Sequence, residues 1–346
     1  MEPPKGRAPN IRDVARLAGV SYQTVSRVLN NSENIKPSTK ERVLEIIGEI
    51  GYRPNQAARA LVTSKSRTLG VLTAQTAHYG PNTSLRAIED AAREAGYLVS
   101  TMSLATSDYA SITGGLEHLM AQAIEGLVVI APQVRVFDAF KALELTIPLV
   151  TLDSTGRDAP RSLSVDQIAG ARLVTRHLID LGHADILHLA GPQDWIEAEA
   201  RMRGFLDEID RADLRLFPPI LGDWTADFGY HVGEEVVQFR DFTAVFAAND
   251  QMALGLMHAF RDAGLDVPGD VSVVGFDDIP EARHFWPTLT TVRQDFAELG
   301  RRSVALLVGE IEGETGLNHD QILPELVVRE SSAAPPPRID KWAPRR

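Results

Sequence analysis

Residues 11–30 of the chain read IRDVARLAGVSYQTVSRVLN. Apolar side chains recur at helical spacing on both sides of Gly19, which predicts two short amphipathic helices, one ending near Ala18 and the other near Leu29. Gly19 supplies the break between them, and Ser21 is placed to cap the second helix. Two helices joined by a tight turn that contains glycine form a helix-turn-helix.

The polar face of the second predicted helix carries groups that can read DNA. Arg27 can donate two hydrogen bonds to guanine, and Gln23 can pair with adenine or bind a phosphate. Tyr22 offers a hydroxyl and a ring that can meet a thymine methyl group, and Ser26 lies on the same face. The same side chains would also suit a solvated helix face, because such residues are common on protein surfaces.

A third helix is predicted after Pro37. Ser38 and Glu41 have the spacing of a capping box, the apolar residues within 43–50 form one face, and Gly51 stops the helix. Three helices in about 43 residues make a small core, but modules of this size do fold alone.

The charges of the 346-residue chain are unevenly distributed. Residues 1–67 contain 12 Lys and Arg against 6 Asp and Glu, a net charge of +6, whereas the whole chain carries −12. A small basic head on a large acidic body indicates an anion-binding module, with nucleic-acid contact confined to the head. A chance excess of arginine at this end would give the same count.

The composition excludes several classes of protein. The chain has no cysteine, which excludes disulfides, thiolate zinc sites, iron–sulfur clusters and a cysteine nucleophile. Residues 1–9 are polar and rich in proline, without the apolar core of a secretory signal, and no apolar run approaches the ~20 residues that span a bilayer. We therefore expect a soluble cytoplasmic protein with no membrane partner.

From residue 67 onward, short apolar runs alternate with amphipathic helices. Runs such as 126–130 and 186–189 are typical of buried parallel strands. Two series of regular β–α alternation predict two lobes, each with an open, doubly wound α/β sheet. The pattern resembles that of periplasmic sugar-binding proteins, and this resemblance implies three chain crossovers between the lobes, near Asp166, Gln294 and Leu323.

Polar residues follow several of these strands, in the places where ligands of open α/β sheets bind. They are Asp153, Arg201, Trp224, Asn249, Asp250, Asp277 and Asp278. Carboxylates, an amide and a guanidinium can bind adjacent sugar hydroxyls, and an indole suits the apolar face of a pyranose. Asp250 and Asp278 could equally cap the next helix, and Trp224 could be a core aromatic.

The run from Ile11 to Asn30 resembles the signature of the lac repressor (LacI) family of bacterial transcription regulators. The resemblance implies that a homodimer binds a pseudo-palindromic double-stranded DNA operator. The residues of the head that it implies as DNA contacts are Ser21, Tyr22, Gln23, Thr24, Ser26, Arg27 and Asn30.

Residues 54–66 connect the head to the body. The run from Asn55 to Leu61 consists of good helix formers, but an isolated helix this short is marginal in water, and taken alone it would be a plain linker. The resemblance implies a hinge helix, paired with that of a second protomer in the minor groove, with Leu61 wedged between base pairs. Asn55, Ala58 and Leu61 are the DNA contacts implied here.

The resemblance extends to the body, which is similar to periplasmic sugar-binding proteins with their ligand between two lobes. Arg201, Asn249 and Asp277 match positions that contact the inducer in the family. The effector-binding set implied by the resemblance is Ala74, His78, Asp153, Arg201, Trp224, Asn249, Asp277 and Phe296. Ala74 and His78 depart from the family pattern in the first lobe, which leaves the identity of the sugar open.

We thus predict an α-helical helix-turn-helix head followed by a two-lobed α/β periplasmic-binding-protein-like body with parallel sheets. The expected divisions are a disordered N-terminus (1–9), the DNA-binding domain (10–53), the hinge helix and linker (54–66), the effector-binding and dimerisation domain (67–331) and a disordered tail (332–346). The tail has no leucine heptads, which favours a dimer over a larger coiled-coil assembly.

The predicted function is transcriptional repression relieved by a sugar inducer, a galactoside or a glucoside, that binds between the lobes. The alternative within the family is a regulator activated by a purine or another metabolite, since Trp224 could also stack on a base. A solute-binding protein and a sugar-processing enzyme are the alternatives of other classes. We expect no cofactor, no metal and no enzyme activity, because phosphate-loop, dinucleotide, zinc-protease and nucleophile-elbow motifs are missing from the sequence.

Overall fold

A computed structural model of the chain describes residues 9–29, 35–52, 65–73, 78–104, 106, 108–130, 136, 145–152, 162–239 and 241–336. The chain divides into two compact units, Met1–Ser66 and Arg67–Arg346. The predicted disordered N-terminus up to residue 8, the hinge helix and the tail from residue 337 lie outside the described residues. Among the residues that are described, no helix is both long enough and apolar enough to cross a membrane.

The described part of the first unit contains three helices, α1 (Ile11–Ala18), α2 (Tyr22–Leu29) and α3 (Pro37–Ile50). Gly19 ends α1 with a left-handed φ of 67°, a conformation that costs glycine little. The Ser21 hydroxyl accepts a hydrogen bond from the Thr24 N–H at 3.1 Å, which is the predicted cap of α2. The apolar faces of the three helices meet in one core, in which Val14, Val25, Val28 and Val43 are buried.

The predicted capping box of α3 is wrong. The helix already begins at Pro37, so Ser38 lies inside the first turn, and Lys36 in the capping position makes no side-chain cap bond. Proline tolerates this position because its missing N–H would have had no partner within the helix. The predicted end is observed, with Gly51 in the left-handed conformation at φ 62°.

The first lobe of the body is built on a five-stranded parallel sheet with the order β2-β1-β3-β4-β5. Its strands are β1 (Thr68–Thr73), β2 (Leu98–Ser103), β3 (Gly126–Ile130), β4 (Leu149–Leu152) and β5 (Ser162–Leu163). Three helices of this lobe are α4 (Tyr79–Glu94), α5 (Tyr109–Met120) and the late α10 (Phe296–Glu312). The central strand β3 is buried along its length, as expected of a strand covered on both faces.

The second lobe repeats this plan with a four-stranded parallel sheet in the order β7-β6-β8-β9. Its strands are β6 (Ile186–Ala190), β7 (Ile220–Leu221), β8 (Ala244–Ala247) and β9 (Ser272–Val274). Its helices are α6 (Gln167–Asp180), α7 (Ile196–Arg211), α8 (Ala226–Val236), α9 (Asp250–Asp262) and a short 3-10 helix (Pro280–His284). The predicted two-lobed α/β body with parallel sheets is therefore confirmed.

The chain crosses between the lobes three times, at the predicted places. It leaves β5 through Asp166, which caps α6, and returns through Gln294, which follows β10 (Thr291–Arg293) and precedes α10. It then crosses back from a parallel bridge between Val165 and Ile322 into β11 (Glu325–Val327), which pairs antiparallel with β10. The connecting strands thus lie side by side under the cleft between the lobes.

Helix α10 is drawn close to α4 on the first lobe. A Cβ atom on Gly300 would lie 2.4 Å from the backbone carbonyl carbon of Ala87. Only a residue without a side chain allows this approach, which anchors the returning segment on the lobe that the chain had left.

The chain remains packed on the second lobe beyond the predicted end of the body. The Ser331 carbonyl accepts a hydrogen bond at 2.8 Å from the N–H of Val273 in the edge strand β9. The Ala333 N–H donates to the Ser272 hydroxyl at 3.1 Å, and His177 bonds Ser332 at 2.9 Å. The prediction of a disordered tail from residue 332 is therefore wrong for Ser332 and Ala333, which form hydrogen bonds with side chains distant in sequence.

Candidate functional site

The outward face of α2 presents the side chains that were predicted to read DNA. Tyr22 is 56% exposed, and Gln23 and Arg27 are exposed with it. The hydroxyls of Ser21 and Thr24 form a hydrogen bond with each other at 3.0 Å, which stabilises the start of the helix. The candidates Asn30, Asn55, Ala58 and Leu61 lie outside the described residues.

A cleft in the body lies at the carboxyl ends of both sheets and has about 700 Å³ of empty space, counting the part open to solvent. Six of the eight effector candidates line it together: His78, Arg201, Trp224, Asn249, Asp277 and Phe296. Ala74 and Asp153 lie outside the described residues. His78 and Phe296 belong to the first lobe and the other four to the second, so the cleft has walls from both lobes.

The floor of the cleft is a closed ring of hydrogen bonds between four buried side chains, which we call the polar ring: Gln167, Arg201, Asp277 and Gln294. Arg201 donates to Gln167 Oε1 at 2.8 Å and lies 3.2 Å from Asp277 Oδ1. Gln294 donates to Asp277 at 2.7 Å and accepts from Gln167 Nε2 at 2.7 Å. Because Gln167 and Gln294 stand at two of the crossovers, the floor of the cleft is joined to the segments that connect the lobes.

Arg201 is held in place from several directions. It projects from α7, donates to the carbonyl of Ala248 and lies with its guanidinium carbon 3.9 Å from the centre of the Phe276 ring. Stacking and hydrogen bonding together fix the plane of a guanidinium, which leaves its remaining N–H groups in a defined direction. Such a preorganised donor is suited to vicinal hydroxyl groups.

Burial raises the pKa of Asp277, although the charge of Arg201 and the hydrogen bond from Gln294 lower it in part. Its neighbour Asp250 is completely buried, and this burial together with the nearby charge of Asp277 raises its pKa well above the ordinary value. Asp250 accepts from the Ile279 N–H at 2.9 Å and from Thr291 Oγ1 at 2.6 Å. It thereby fixes the strand-end loop that carries Asp277.

Neither Asp250 nor Asp278 caps a helix, so that alternative is wrong. Asn249 is the residue that caps α9, accepting from the Met252 N–H at 2.9 Å. Burial by itself would raise the pKa of Asp278, but hydrogen bonds from Arg329 and Arg293 outweigh it and lower the pKa. Asp278 therefore ties β10 and the segment after β11 together.

Asn249 also fixes the position of Trp224. Its amide donates to the Trp224 carbonyl at 3.0 Å, while Trp224 itself adopts a left-handed φ of 72°. The indole packs on Gly191, where a Cβ atom would lie 2.1 Å from the ring. Trp224 is thus both a core aromatic of the second lobe and a wall of the cleft.

The indole N–H of Trp224 is buried and has no hydrogen-bond partner within the described part of the chain. An unsatisfied buried donor costs roughly 1–3 kcal/mol, so such groups are uncommon unless they serve a purpose.

Sequence reasoning missed several residues of the cleft, among them Gln167, Trp195, Glu197 and Tyr79. Trp195 lies at the start of α7, after β6. Trp224 was predicted from the same kind of position, after the end of a strand. Gln167 directly follows the predicted crossover at Asp166, but its bond to Gln294 spans 127 residues and leaves no local pattern.

His78 meets Trp195 across the cleft, edge to face, with ring centres 5.0 Å apart. Burial lowers the pKa of His78, partly opposed by Asp223, so the imidazole is neutral near pH 7 and can donate a single hydrogen bond. Within the described residues, no group of three or more His, Asp or Glu side chains is arranged to hold a metal ion.

Two family models match the chain. One, described as bacterial regulatory proteins of the lacI family, covers residues 10–55, and one described as a periplasmic binding protein-like domain covers residues 175–332. These matches coincide with the helix-turn-helix and with most of the second lobe.

Curated relatives match over almost the whole chain. The lactose operon repressor of Escherichia coli (strain K12) is 35% identical over 330 residues, which cover 93% of this chain and 90% of the relative. The HTH-type transcriptional repressor PurR of Mannheimia succiniciproducens is 31% identical over 330 residues, with coverages of 93% and 98%. Both relatives are transcriptional repressors rather than enzymes.

Solved structures agree with these matches. The lac repressor dimer bound to operator and the anti-inducer ONPF has a TM-score of 0.85 and 33% identity, covering 95% of this chain and 100% of that chain. The complex of the transcriptional regulator CelR with cellobiose has a TM-score of 0.68 and 29% identity, with coverages of 94% and 100%. With 35% identity to a curated repressor along nearly all of both sequences, this protein belongs to the lacI family of bacterial transcription regulators.

Proposed function

We propose that this protein is a homodimeric repressor that binds a pseudo-palindromic DNA operator in the cytoplasm and releases it when a sugar occupies the cleft. The observation that carries the proposal is the cleft itself, in which side chains of both lobes surround the polar ring. The exposed Tyr22, Gln23 and Arg27 on α2 supply base-reading groups of the kind that enter a major groove.

The geometry of the cleft supports a coupling between effector binding and operator binding. A ligand shifts a conformational equilibrium only if it binds the two states unequally. A sugar that touches His78 or Phe296 in the first lobe and Arg201 or Asn249 in the second would favour one angle between the lobes. The first lobe begins directly after the hinge segment 54–66, so a change in that angle would disfavour a marginal hinge helix.

A sugar as the effector is supported by one relative and one solved structure. One is a lactose operon repressor, and a structural neighbour holds cellobiose. The second candidate is a purine corepressor, which is favoured by the PurR relative and by the presence of the Trp224 indole in the lining of the cleft.

The test measures operator affinity with and without effector. A duplex obtained by in vitro binding-site selection would be titrated with the protein while lactose, cellobiose, methyl glycosides, hypoxanthine and guanine are added in turn. We expect a sugar to lower operator affinity at least tenfold. Tighter operator binding with a purine would establish the corepressor alternative instead.

A further inference from the structure

Three residues that directly precede neighbouring strands meet at the edge of the first-lobe sheet opposite the cleft. Arg67 precedes β1, Tyr97 precedes β2 and Glu125 precedes β3. The sheet order places β1 between β2 and β3, and because these strands are parallel their amino ends lie at one edge. We call the three residues the junction cluster, since Arg67 is also the first residue after the segment 54–66.

The backbone of Arg67 is held at this edge from both sides. Its N–H donates to Glu125 Oε1 at 2.6 Å, and its carbonyl accepts from the Leu98 N–H at 2.8 Å. Glu125 is fixed in turn, because its own N–H donates to the Thr68 carbonyl at 2.8 Å. The N–H of Arg67 and the carbonyl of Ser66 share one rigid peptide plane, so the bond to Glu125 also fixes the direction from which the chain arrives.

The conformation of Arg67 is one that a residue with a side chain rarely adopts. Its φ is 52°, in the left-handed region, which glycine enters freely and other residues enter at a cost. The guanidinium carbon lies 5.2 Å from the centre of the Tyr97 ring, within cation–π range, and Tyr97 is buried in the core of the first lobe. Arg67 itself is exposed, so core packing does not require it. Strained residues persist only where their surroundings determine them, and they concentrate at functional positions.

Resting on the proposed function, we propose that Arg67 is a positioning residue for operator binding. Together with Tyr97 and Glu125 it holds the end of the segment 54–66 in one direction where the chain enters β1. A helix as short as the expected hinge helix is marginal by itself, so it is favoured when one end is held. Without the junction cluster, ordering this segment on DNA would cost more conformational entropy. Specific binding would then weaken, whereas non-specific binding by the basic head would not.

Glu125 provides the sharpest test, because a charge effect and a positioning effect have opposite signs there. On electrostatic grounds alone, removal of a carboxylate from an acidic body should strengthen DNA binding or leave it unchanged. We expect Glu125→Ala instead to weaken binding of the selected operator duplex at least fivefold, while a scrambled duplex binds within twofold of the parent. Glu125→Gln keeps an acceptor for the Arg67 N–H and should restore most of the loss. Glu94→Ala removes an exposed carboxylate from the same lobe and is the matched control.

Arg67→Gly separates the side chain from the backbone. Glycine accepts a φ of 52° without strain, so the lobe should fold as before, but the guanidinium is lost from the Tyr97 ring. We expect operator binding at least fivefold weaker, with the scrambled duplex within twofold and the midpoint of urea unfolding unchanged. Arg301→Gln removes an exposed guanidinium of the same lobe, paired with Glu298, and controls for the loss of one positive charge.

A measurement without DNA is possible because the chain has no cysteine. A nitroxide attached to Lys65→Cys in the full-length protein reports the nanosecond mobility of the chain beside the junction cluster. We expect its rotational correlation time to fall at least twofold when Glu125→Ala or Arg67→Gly is added. Glu125→Gln and Glu94→Ala should leave it unchanged.

The outcomes separate this inference from the proposed function. Operator affinity that stays equal in Glu125→Ala and Arg67→Gly, or that tightens in Glu125→Ala, would refute the positioning role while the repressor stands. Equal losses on the operator and the scrambled duplex would refute it as well. If the parent selects no duplex, the proposed function fails. The nitroxide then decides alone: greater mobility in the two variants would support the fixed junction, and unchanged mobility would overturn it.

Discussion

Gln167 holds the two halves of the polar ring together. It accepts from Arg201 and donates to Gln294, and all three side chains are buried. Gln167→Ala would leave a buried donor on Arg201 and a buried acceptor on Gln294 unsatisfied. At roughly 1–3 kcal/mol for each such group, we expect a clear loss of free energy of unfolding in a urea titration. Gln238→Ala, at an exposed position, should stay within about 0.5 kcal/mol of the parent.

Arg27 is the side chain of α2 best suited to specify a base. Arg27→Ala should weaken operator binding by roughly 1–3 kcal/mol and relax the preference at one base pair of each half-site, because a bidentate contact to guanine is lost. Binding-site selection followed by anisotropy titration measures both effects. Arg215→Ala, on the body surface, is the control for loss of one positive charge. An unchanged sequence preference would contradict the assignment.

His188 is a fully buried histidine between two aromatic rings. Its ring centre lies 4.7 Å from that of Phe205 and 4.6 Å from that of Phe246, and it bonds the Phe246 carbonyl at 3.0 Å. Burial lowers the pKa of His188 to about 4, and the nearby charge of Arg201 adds to the effect. The folded protein therefore keeps this imidazole neutral at pH values where the unfolded chain protonates it.

This difference sets the direction of a pH dependence. Between pH 6.5 and about 4 the unfolded state binds more protons at this site, so the free energy of unfolding must fall as the pH falls. The loss from His188 is about 3 kcal/mol across that window. Urea titrations at pH 7 and pH 4.5 should show it, and His188→Gln should reduce the slope. Parallel slopes for parent and variant would exclude His188 as the source.

Alanine substitution at two helical glycines should change the stability of the protein in opposite directions. Gly300→Ala places a methyl group against the backbone of Ala87, which cannot yield, so α4 and α10 must separate. We expect a loss of about 1–3 kcal/mol. Gly114 in α5 has no atom within 4 Å of its Cβ position, and alanine there should stabilise the helix by about 0.5–1 kcal/mol. Thermal unfolding distinguishes the two, and equal shifts would contradict the packing.

Elements of the fold could be predicted from the sequence where the signal is local. Strands such as β3 and β6 were predicted because a short apolar run between turn residues is typical of a buried strand in an α/β protein. The three crossovers were implied by the resemblance of the body to periplasmic sugar-binding proteins. The lateral order of the strands could not be predicted, because hydrophobic periodicity carries no information about which strand lies beside which.

The candidate site was predictable only in part, for the same reason. Strand-end polar residues such as Asp277 and Trp224 are found from position alone. The polar ring depends on pairs separated by up to 127 residues, and the role of Asp250 depends on burial that only the packed loop creates. The start of α3 was missed because two local signals compete there, a capping box at Ser38 and a proline one residue earlier.

For the whole molecule, we expect that reading DNA and sensing the effector depend on different residues. Asp277→Asn removes the charge that faces Arg201 but leaves a side chain that can still accept from Gln294. We expect operator binding to persist while its response to the sugar is lost, because α2 is untouched. Operator titrations with and without lactose or cellobiose measure this. Asp241→Asn, at an exposed ion pair, is the control, and a normal response in Asp277→Asn would show that the effector binds elsewhere.

The segment around Ser331 has a practical consequence for anyone who shortens or tags this chain. Strand β9 is the outer strand of its sheet, and its free side is covered by Thr290 and Ser331. A chain cut before Ser331 would bare the N–H and C=O groups of Val273 in that strand, which could then pair with another molecule. Such a protein would be prone to precipitate during purification even with its effector cleft intact. Affinity tags therefore belong after Pro336, beyond the last of these contacts.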